Sequence, residues 1–252
     1  MKNNDEWNKE IRVNFNNAAN NYSDYSYIQK HFCFKIVSLI KKLDVNNNKC
    51  FELGSGTGFL ADEIERQFPY IKVCRIDFSE KMLLKNKKNS STFLWDLNKE
   101  LPGRTRNSSL LVSNFCLHWL LKPHLTLRNW FDKLSIGGYL IVCLPTRNSF
   151  PEWRNTCQIK NIEYSGLIFP DAENLISYFK KDEIYFLKKY DYQENYKDVY
   201  KLLRNIIRIG AQTTQSPRKT IKELRTLQNF WPKNKNNSVN LTWEIFILIL
   251  KK

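Results

Sequence analysis

Residues 49–59 read KCFELGSGTGF, and no other stretch limits so tightly what this chain can fold into. Cys50, Phe51 and Leu53 form a short apolar run with strand character. A four-residue apolar step, Leu60, Ile64 and Phe68, begins just after Gly58 and predicts a helix that Pro69 ends. Between strand and helix lie Glu52 and three glycines at alternate positions, Gly54, Gly56 and Gly58. Glycine suits backbone that turns sharply and lets a ligand come close, because a Cβ would intrude. The dinucleotide fingerprint spaces its glycines G-x-G-x-x-G between strand and helix. Here the third glycine comes one residue earlier, and the acidic residue precedes the first. The same stretch also suits a tight strand-to-helix turn with no ligand.

Downstream, the pattern repeats. Ile71, Val73, Cys74 and Ile76 predict a second strand ending at Asp77, about 25 residues after Glu52. Nucleotide folds place a carboxylate at a similar distance to bond ribose hydroxyls. Asp77 also suits the N-cap of the helix near Glu80, a role Ser79 fills as well. Residues 92–95 form a third strand ending at Asp96, and 110–112 a fourth. A helix over 126–134 leads through Gly137-Gly138 into a strand over 139–144. A helix over 171–180 and strands over 184–189 and 241–250 follow. Alternating strands and helices call for right-handed crossovers and a mostly parallel sheet covered on both faces. Three acidic residues at strand ends would converge where open α/β sheets bind ligands.

Ahead of the loop, Ile28, Phe32, Ile36, Ile40 and Leu43 mark one face of a helix that Asn46–Asn48 ends. Residues 1–27 read as a polar arm, with Phe15, Tyr22, Tyr25 and Tyr27 placed to pack over something. Residues 197–235 are helical and basic, interrupted by Gly210 and Pro217. The expected organisation is one Rossmann-like α/β domain over 1–252, with a seven-stranded, mostly parallel sheet. The arm is 1–27, and a helical basic lid spans about 193–238.

Hydrophobic residues at 42% suffice for a packed core and exclude disorder as the default state. No apolar run approaches the roughly 20 residues of a membrane span, and MKNNDEWNKE lacks the apolar core of a signal peptide. Six scattered cysteines without a C-x-x-C pair suit a reduced, cytoplasmic protein with no zinc site. The net charge of +15 attracts something acidic, either nucleic acid or an acidic protein. The many asparagines equally suit compositional drift toward Lys, Asn and Ile.

The E-x-G-x-G-x-G stretch resembles motif I of the class I S-adenosylmethionine-dependent methyltransferases. FNNAANNY, ELGSGTGFL, IDFSEKML, LWDLNKELP, SNFCLHW, SIGGYLIVCLP and LTWEIFILILKK then occur in that order. Together they resemble the malonyl-acyl-carrier-protein O-methyltransferase family of biotin synthesis, nearly end to end. SNFCLHW and LTWE are the more specific parts. Ser55 stands where cysteine is usual, Glu52 where aspartate is usual, and Ser108-Ser109 where Phe-Asp is usual. The last departure loosens the strand alignment around Leu110.

The resemblance implies a cofactor, S-adenosylmethionine, cradled by Glu52, Gly54, Ser55, Gly56 and Gly58. It implies that Asp77 holds both ribose hydroxyls with Phe78 beside it, that Asp96 and Leu97 meet the adenine, and that Asn114 completes the site. Members of that family methylate the free carboxyl of a malonyl thioester. Such a carboxyl has a pKa of roughly 4 and is ionised at neutral pH, so no general base is required. Arg154, in PEWRN, is the candidate partner of that carboxylate, because a guanidinium matches it bidentately. A solvated arginine on a helix is the other reading. Tyr22 could cap the pocket or simply pack, and His118 reads as structural.

The implied partner is an acidic acyl carrier protein bearing a malonyl group, or malonyl-coenzyme A. A lid carrying Lys201, Arg204, Arg208, Arg218, Lys219, Lys222 and Arg225 would steer it. A monomer without membrane attachment is expected, with no metal. The alternatives are a methyltransferase for another small acceptor, RNA methylation favoured by charge alone, and a basic binding module on a decayed cofactor fold. Intact glycines and acidic residues argue against the last.

Overall fold

A computed structural model describes residues 2–46 and 49–252, so part of the turn assigned to Asn46–Asn48 lies outside the described residues. The chain begins with helix α1 (Asn4–Ala18), the single turn α2 (Tyr22–Tyr25) and α3 (Tyr27–Ile40). Strand β1 (Cys50–Leu53), α4 (Phe59–Gln67), β2 (Val73–Asp77), α5 (Glu80–Leu83) and β3 (Thr92–Leu94) form the first half of the sheet. The second half is β4 (Ser108–Asn114), α6 (Pro123–Asp132), β5 (Leu134–Pro145), α7 (Pro151–Ile159), α8 (Ala172–Ile176) and β6 (Ile184–Tyr196). Two helices, α9 (Val199–Arg208) and α10 (Ile221–Phe230), precede the closing strand β7 (Val239–Lys251).

The seven strands lie in the order β3-β2-β1-β4-β5-β7-β6, with β7 antiparallel to both neighbours and the other pairs parallel. After β3 the chain jumps back across β1 to lay down β4. The carboxyl ends of β1 and β4 therefore flank the switch point where open α/β sheets leave a crevice.

Central strands are buried on both faces, so alternate side chains enter two different cores. Cys50, Leu110, Val112, Ile141, Ile245 and Ile247 pack against α3, α4, α7, α9 and α10. Phe51, Leu53, Leu111, Leu140, Val142, Phe246 and Leu248 pack against α6 and α8. The four-residue step on α3 is realised, with Ile28, Phe32, Ile36 and Ile40 all buried.

Several expectations need correction. Residues 1–27 are not a polar arm. Asn3 and Glu6 form a reciprocal capping box at the start of α1. Trp7, Ile11 and Phe15 then recur every four residues and join a small apolar cluster with Trp119. Strand β6 continues through Tyr196, so the segment leaving the sheet is 197–238 rather than one beginning near 193. Gly137 and Gly138 lie inside β5 and are not the turn before it. A Cβ on Gly138 would overlap the Ser108 carbonyl, where β4 and β5 shift register between Ser108 and Leu110. The predicted helix over 171–180 is cut to Ala172–Ile176, with the Asp171 side chain capping Asn174 N. All six cysteines are free. Among the described residues, no helix is long and apolar enough to cross a membrane.

Candidate active site

The three glycines have different reasons to be glycine. All have positive φ, which L side chains disfavour. Gly54 turns the chain at the end of β1, where its N and that of Ser55 both donate to the Ile76 carbonyl (2.8 and 3.0 Å). A Cβ there would overlap the side chain of Cys116. Gly56, in contrast, faces open space, with Tyr22 Cε1 at 4.0 Å its nearest neighbour. The loop is braced from behind. Asn86 Nδ2 donates to the Gly56 carbonyl (3.0 Å), and the buried Arg75 donates to Asn86 (3.2 Å) while pairing with Asp62 (2.6 Å) and Glu65 (2.9 Å).

Gly56 opens into a cavity of about 70 Å³ at the strand ends. Gly54, Gly56, Asp77, Phe78, Asp96, Leu97 and Asn114 all line it. Asp77 is held rigidly, accepting from Gly56 N and Ser79 N (both 2.8 Å). Burial pushes its carboxyl up to about 6. The Asp96 carboxylate accepts from Asn98 N (2.9 Å), a turn that aims it at the cavity. Asn114 donates to the Gln29 carbonyl (2.9 Å), while its Oδ1 is buried without a hydrogen-bond partner among the described residues.

Glu52, Ser55 and Gly58 do not line this cavity. Cys50 and Glu52 share one face of β1, and that face lies beneath α4. Glu52 therefore accepts from Ala61 N (3.1 Å) in the first turn of α4. Burial pushes its carboxyl up to about 8. Sequence reasoning missed α1, whose Asn8, Ile11 and Phe15 form one wall of the cavity. Their spacing along Trp7-Ile11-Phe15 was the available signal.

A second cavity, of about 260 Å³, adjoins the first. Phe15, Tyr22, Phe115 and Trp119 line both. Phe115, directly after β4, adopts φ 54°, and Phe150, capping α7, adopts φ 65°. Left-handed backbone at bulky residues costs of order 1–3 kcal/mol and persists only where surroundings impose it. Here it turns both rings onto the wall of the second cavity. The remaining wall comes from Trp153, Phe169, Trp243 and residues of the 197–238 segment.

His118 lines this cavity, and burial lowers its imidazole to about 3, leaving it neutral at physiological pH. Its Nδ1 has no hydrogen-bond partner among the described residues. Burial, followed by the nearby Asp77 charge, raises the Tyr22 phenol and keeps it protonated. Arg154 lines neither cavity. Helical side chains lean toward the helix N-terminus. Its guanidinium accordingly reaches back to donate to the carbonyls of Arg147 (2.7 Å), Asn148 (3.0 Å) and Ser149.

The first cavity suits S-adenosylmethionine. Gly56 leaves room that a side chain would fill, two carboxylates sit at strand ends, and the Asn114 acceptor awaits a donor. A family described as a methyltransferase domain matches residues 51–140 of this chain. The chain carries a methyltransferase domain on a class I fold. Its cofactor is S-adenosylmethionine. The fold of this methyltransferase is similar to that of the YcgJ protein of Bacillus subtilis, with TM-score 0.61, 12% identity, and coverage of 88% of this chain and 99% of that one. It also resembles a Thermotoga maritima S-adenosylmethionine-dependent methyltransferase, with TM-score 0.55, 16% identity, and coverage of 96% and 99%. In sequence it is 27% identical to a malonyl-[acyl-carrier protein] O-methyltransferase of Bacillus cereus, over 80% of each chain. It is 26% identical to one of Coxiella burnetii, over 97% of this chain and 96% of that one.

Proposed function

We propose that this methyltransferase acts on the free carboxylate of a malonyl thioester, carried by an acyl carrier protein or coenzyme A, in an early step of biotin synthesis. The observation that carries the reading is the chemistry of the second cavity. It shares a wall with the cofactor site, and among the described residues no carboxylate lines it. His118 is too weakly basic to take a proton at neutral pH, and the Tyr22 phenol keeps its own. A hydroxyl or amine acceptor, which must lose a proton, finds neither a carboxylate nor a basic imidazole there among the described residues. A carboxylate with a pKa of roughly 4 arrives already ionised. The names of the Bacillus and Coxiella relatives support the same acceptor.

Bound S-adenosylmethionine supplies an electrophilic methyl group on a sulfonium centre. The chain's own part is binding and orientation, which can contribute roughly 7–11 kcal/mol to such a reaction. Asp77 and Asp96 would accept hydrogen bonds from the bound cofactor, and Asn114 Oδ1 would accept another. Tyr22, on the shared wall, donates a hydrogen bond to the acceptor carboxylate and takes the place expected of Arg154. Phe15, Phe115 and Trp119 exclude water from the junction, and aromatic walls suit a cation. An acidic carrier suits the exposed cations Lys197, just before α9, and Lys201, Arg204 and Arg208 along it. A reduced, cytoplasmic setting and a single 1–252 domain with a lid over 197–238 accompany this reading.

The test offers purified protein and methyl-labelled S-adenosylmethionine with malonyl-acyl-carrier protein, malonyl-coenzyme A and RNA side by side. Label should enter a base-labile ester on the malonyl carrier. Label in RNA with none on either malonyl thioester would overturn the reading.

A further inference from the structure

Among the described residues, Arg218 and Lys219 are the only charged side chains on the wall of the acceptor cavity. Lys219 is unusual among them: its side chain is only 8% exposed. Among the described residues its one ionic partner is Glu223 Oε1, at 3.5 Å. That carboxylate is already engaged through Oε2, which accepts from Thr220 N (2.7 Å) and Thr220 Oγ1 (2.8 Å) to close the first turn of α10. An ammonium carries three donors, and burying one so loosely paired is costly. Lys219 is therefore left with donors for an anion. Arg218, exposed beside it, makes no ion pair among the described residues.

Neither cation lies on the wall shared with the cofactor site, which is formed by Phe15, Tyr22, Phe115 and Trp119. A carboxylate receiving the methyl group must sit at that shared wall. The anion drawn to Lys219 is thus a second negative charge on the same acceptor. Malonyl thioesters of both carriers hang on a pantetheine arm that ends in a phosphate ester. Lysine binds phosphate as a point charge, without the planar match a guanidinium needs.

We propose that Lys219, with Arg218 at its side, binds the phosphate at the far end of the acceptor's pantetheine arm. This rests on the reading of the acceptor as a carrier-bound thioester. It makes the acceptor cavity a two-ended site, neutral where the carboxylate reacts and cationic where the arm leaves.

Binding is tested by calorimetry on the full chain, with 4′-phosphopantetheine and pantetheine as probes. The phosphorylated arm should bind at least about tenfold tighter, the range of a hydrogen bond to a charged group. Lys219→Gln should bring the ratio close to one, and Lys219→Arg should retain most of it. If Lys219→Gln fails to fold, the exposed Arg218→Gln should still reduce the ratio. Among turnover substrates, Lys219→Gln should raise KM for malonyl-acyl-carrier protein and malonyl-coenzyme A alike, since both carry the phosphate. Equal binding of the two probes by the wild type would overturn the proposal. So would a KM effect confined to the carrier protein, which would put Lys219 on a protein surface. A wild type that prefers the phosphorylated probe but methylates neither malonyl thioester would sink the proposed reaction and leave the phosphate site standing.

Discussion

The cofactor cavity and the acceptor cavity share four side chains but are built on opposite plans. The first takes its polar groups from strand ends and the turns that follow them, at Gly56, Asp77, Asp96 and Asn114. Those positions come with the sheet. The second is walled mostly by rings and aliphatic side chains from α1, α2, α7, the turns after β4 and β5, the 165–169 loop, the 197–238 segment and β7. Apart from β7 and the turns after β4 and β5, those elements lie outside the sheet, which does not dictate their shape. Cofactor choice thus resides in the sheet's own geometry, and acceptor choice in what is laid over it.

The largest effects should separate packing from binding within the glycine loop. Gly54→Val would drive a side chain into Cys116 at φ +76° and should destabilise the protein by about 3 kcal/mol or more. A Cβ at Gly56 meets nothing nearer than Tyr22 Cε1 at 4.0 Å, so Gly56→Val should cost only about 1–2 kcal/mol of backbone strain. It should nevertheless abolish cofactor binding. Thermal unfolding and calorimetry read the two effects, and a Gly56→Val variant that binds the cofactor normally would break the comparison on the cofactor side.

Glu52 comes next. Its folded-state carboxyl, at about 8, lies above its value in an unfolded chain, so the folded protein holds a proton the unfolded one has released. Stability should therefore fall as pH rises from about 5 through 8, by on the order of a few kcal/mol. Glu52→Gln can still accept from Ala61 N and should flatten that slope in urea titrations. An unchanged slope would mean that Glu52 is ionised in the fold.

Asp77→Asn should weaken S-adenosylmethionine binding by roughly 1–3 kcal/mol, the cost of poorly paired hydroxyl groups. In the wild type, affinity should decline below about pH 6, as the Asp77 carboxylate takes up a proton. The Asn variant should show no such decline.

The smallest effect belongs to the shared wall. Tyr22→Phe should lower kcat/KM for the malonyl acceptor by about 1.5 kcal/mol, the low end for a hydrogen bond to a charged group, with little change in cofactor affinity. Equal losses in both would make Tyr22 part of the cofactor site alone.

The same division governs what could be read from the sequence. Asp77 and Asp96 were legible because each ends an apolar strand, and a strand end has one place to go. Glu52 was legible as an acid but not in its direction, since the pleat places it with Cys50 beneath α4. Arg154 was legible as a helical cation, but its backward lean toward residues 147–149 depends on the turn before α7. The α1 stripe was present in the spacing and was hidden by the polarity around it. The acceptor cavity could not be read at all as a unit, because its walls run from Phe15 to Trp243 and meet only after the sheet has formed.

The most direct test of base-free carboxylate methylation is the single-turnover rate of methyl transfer to malonyl-acyl-carrier protein at saturating cofactor, followed from pH 6.5 to 8.5. The acceptor is fully ionised throughout, and the His118 imidazole, at about 3, does not titrate in that span. The rate should be flat. A tenfold rise per pH unit, levelling at an apparent pKa near 7 or 8, would show a group losing a proton in the reaction and contradict the account.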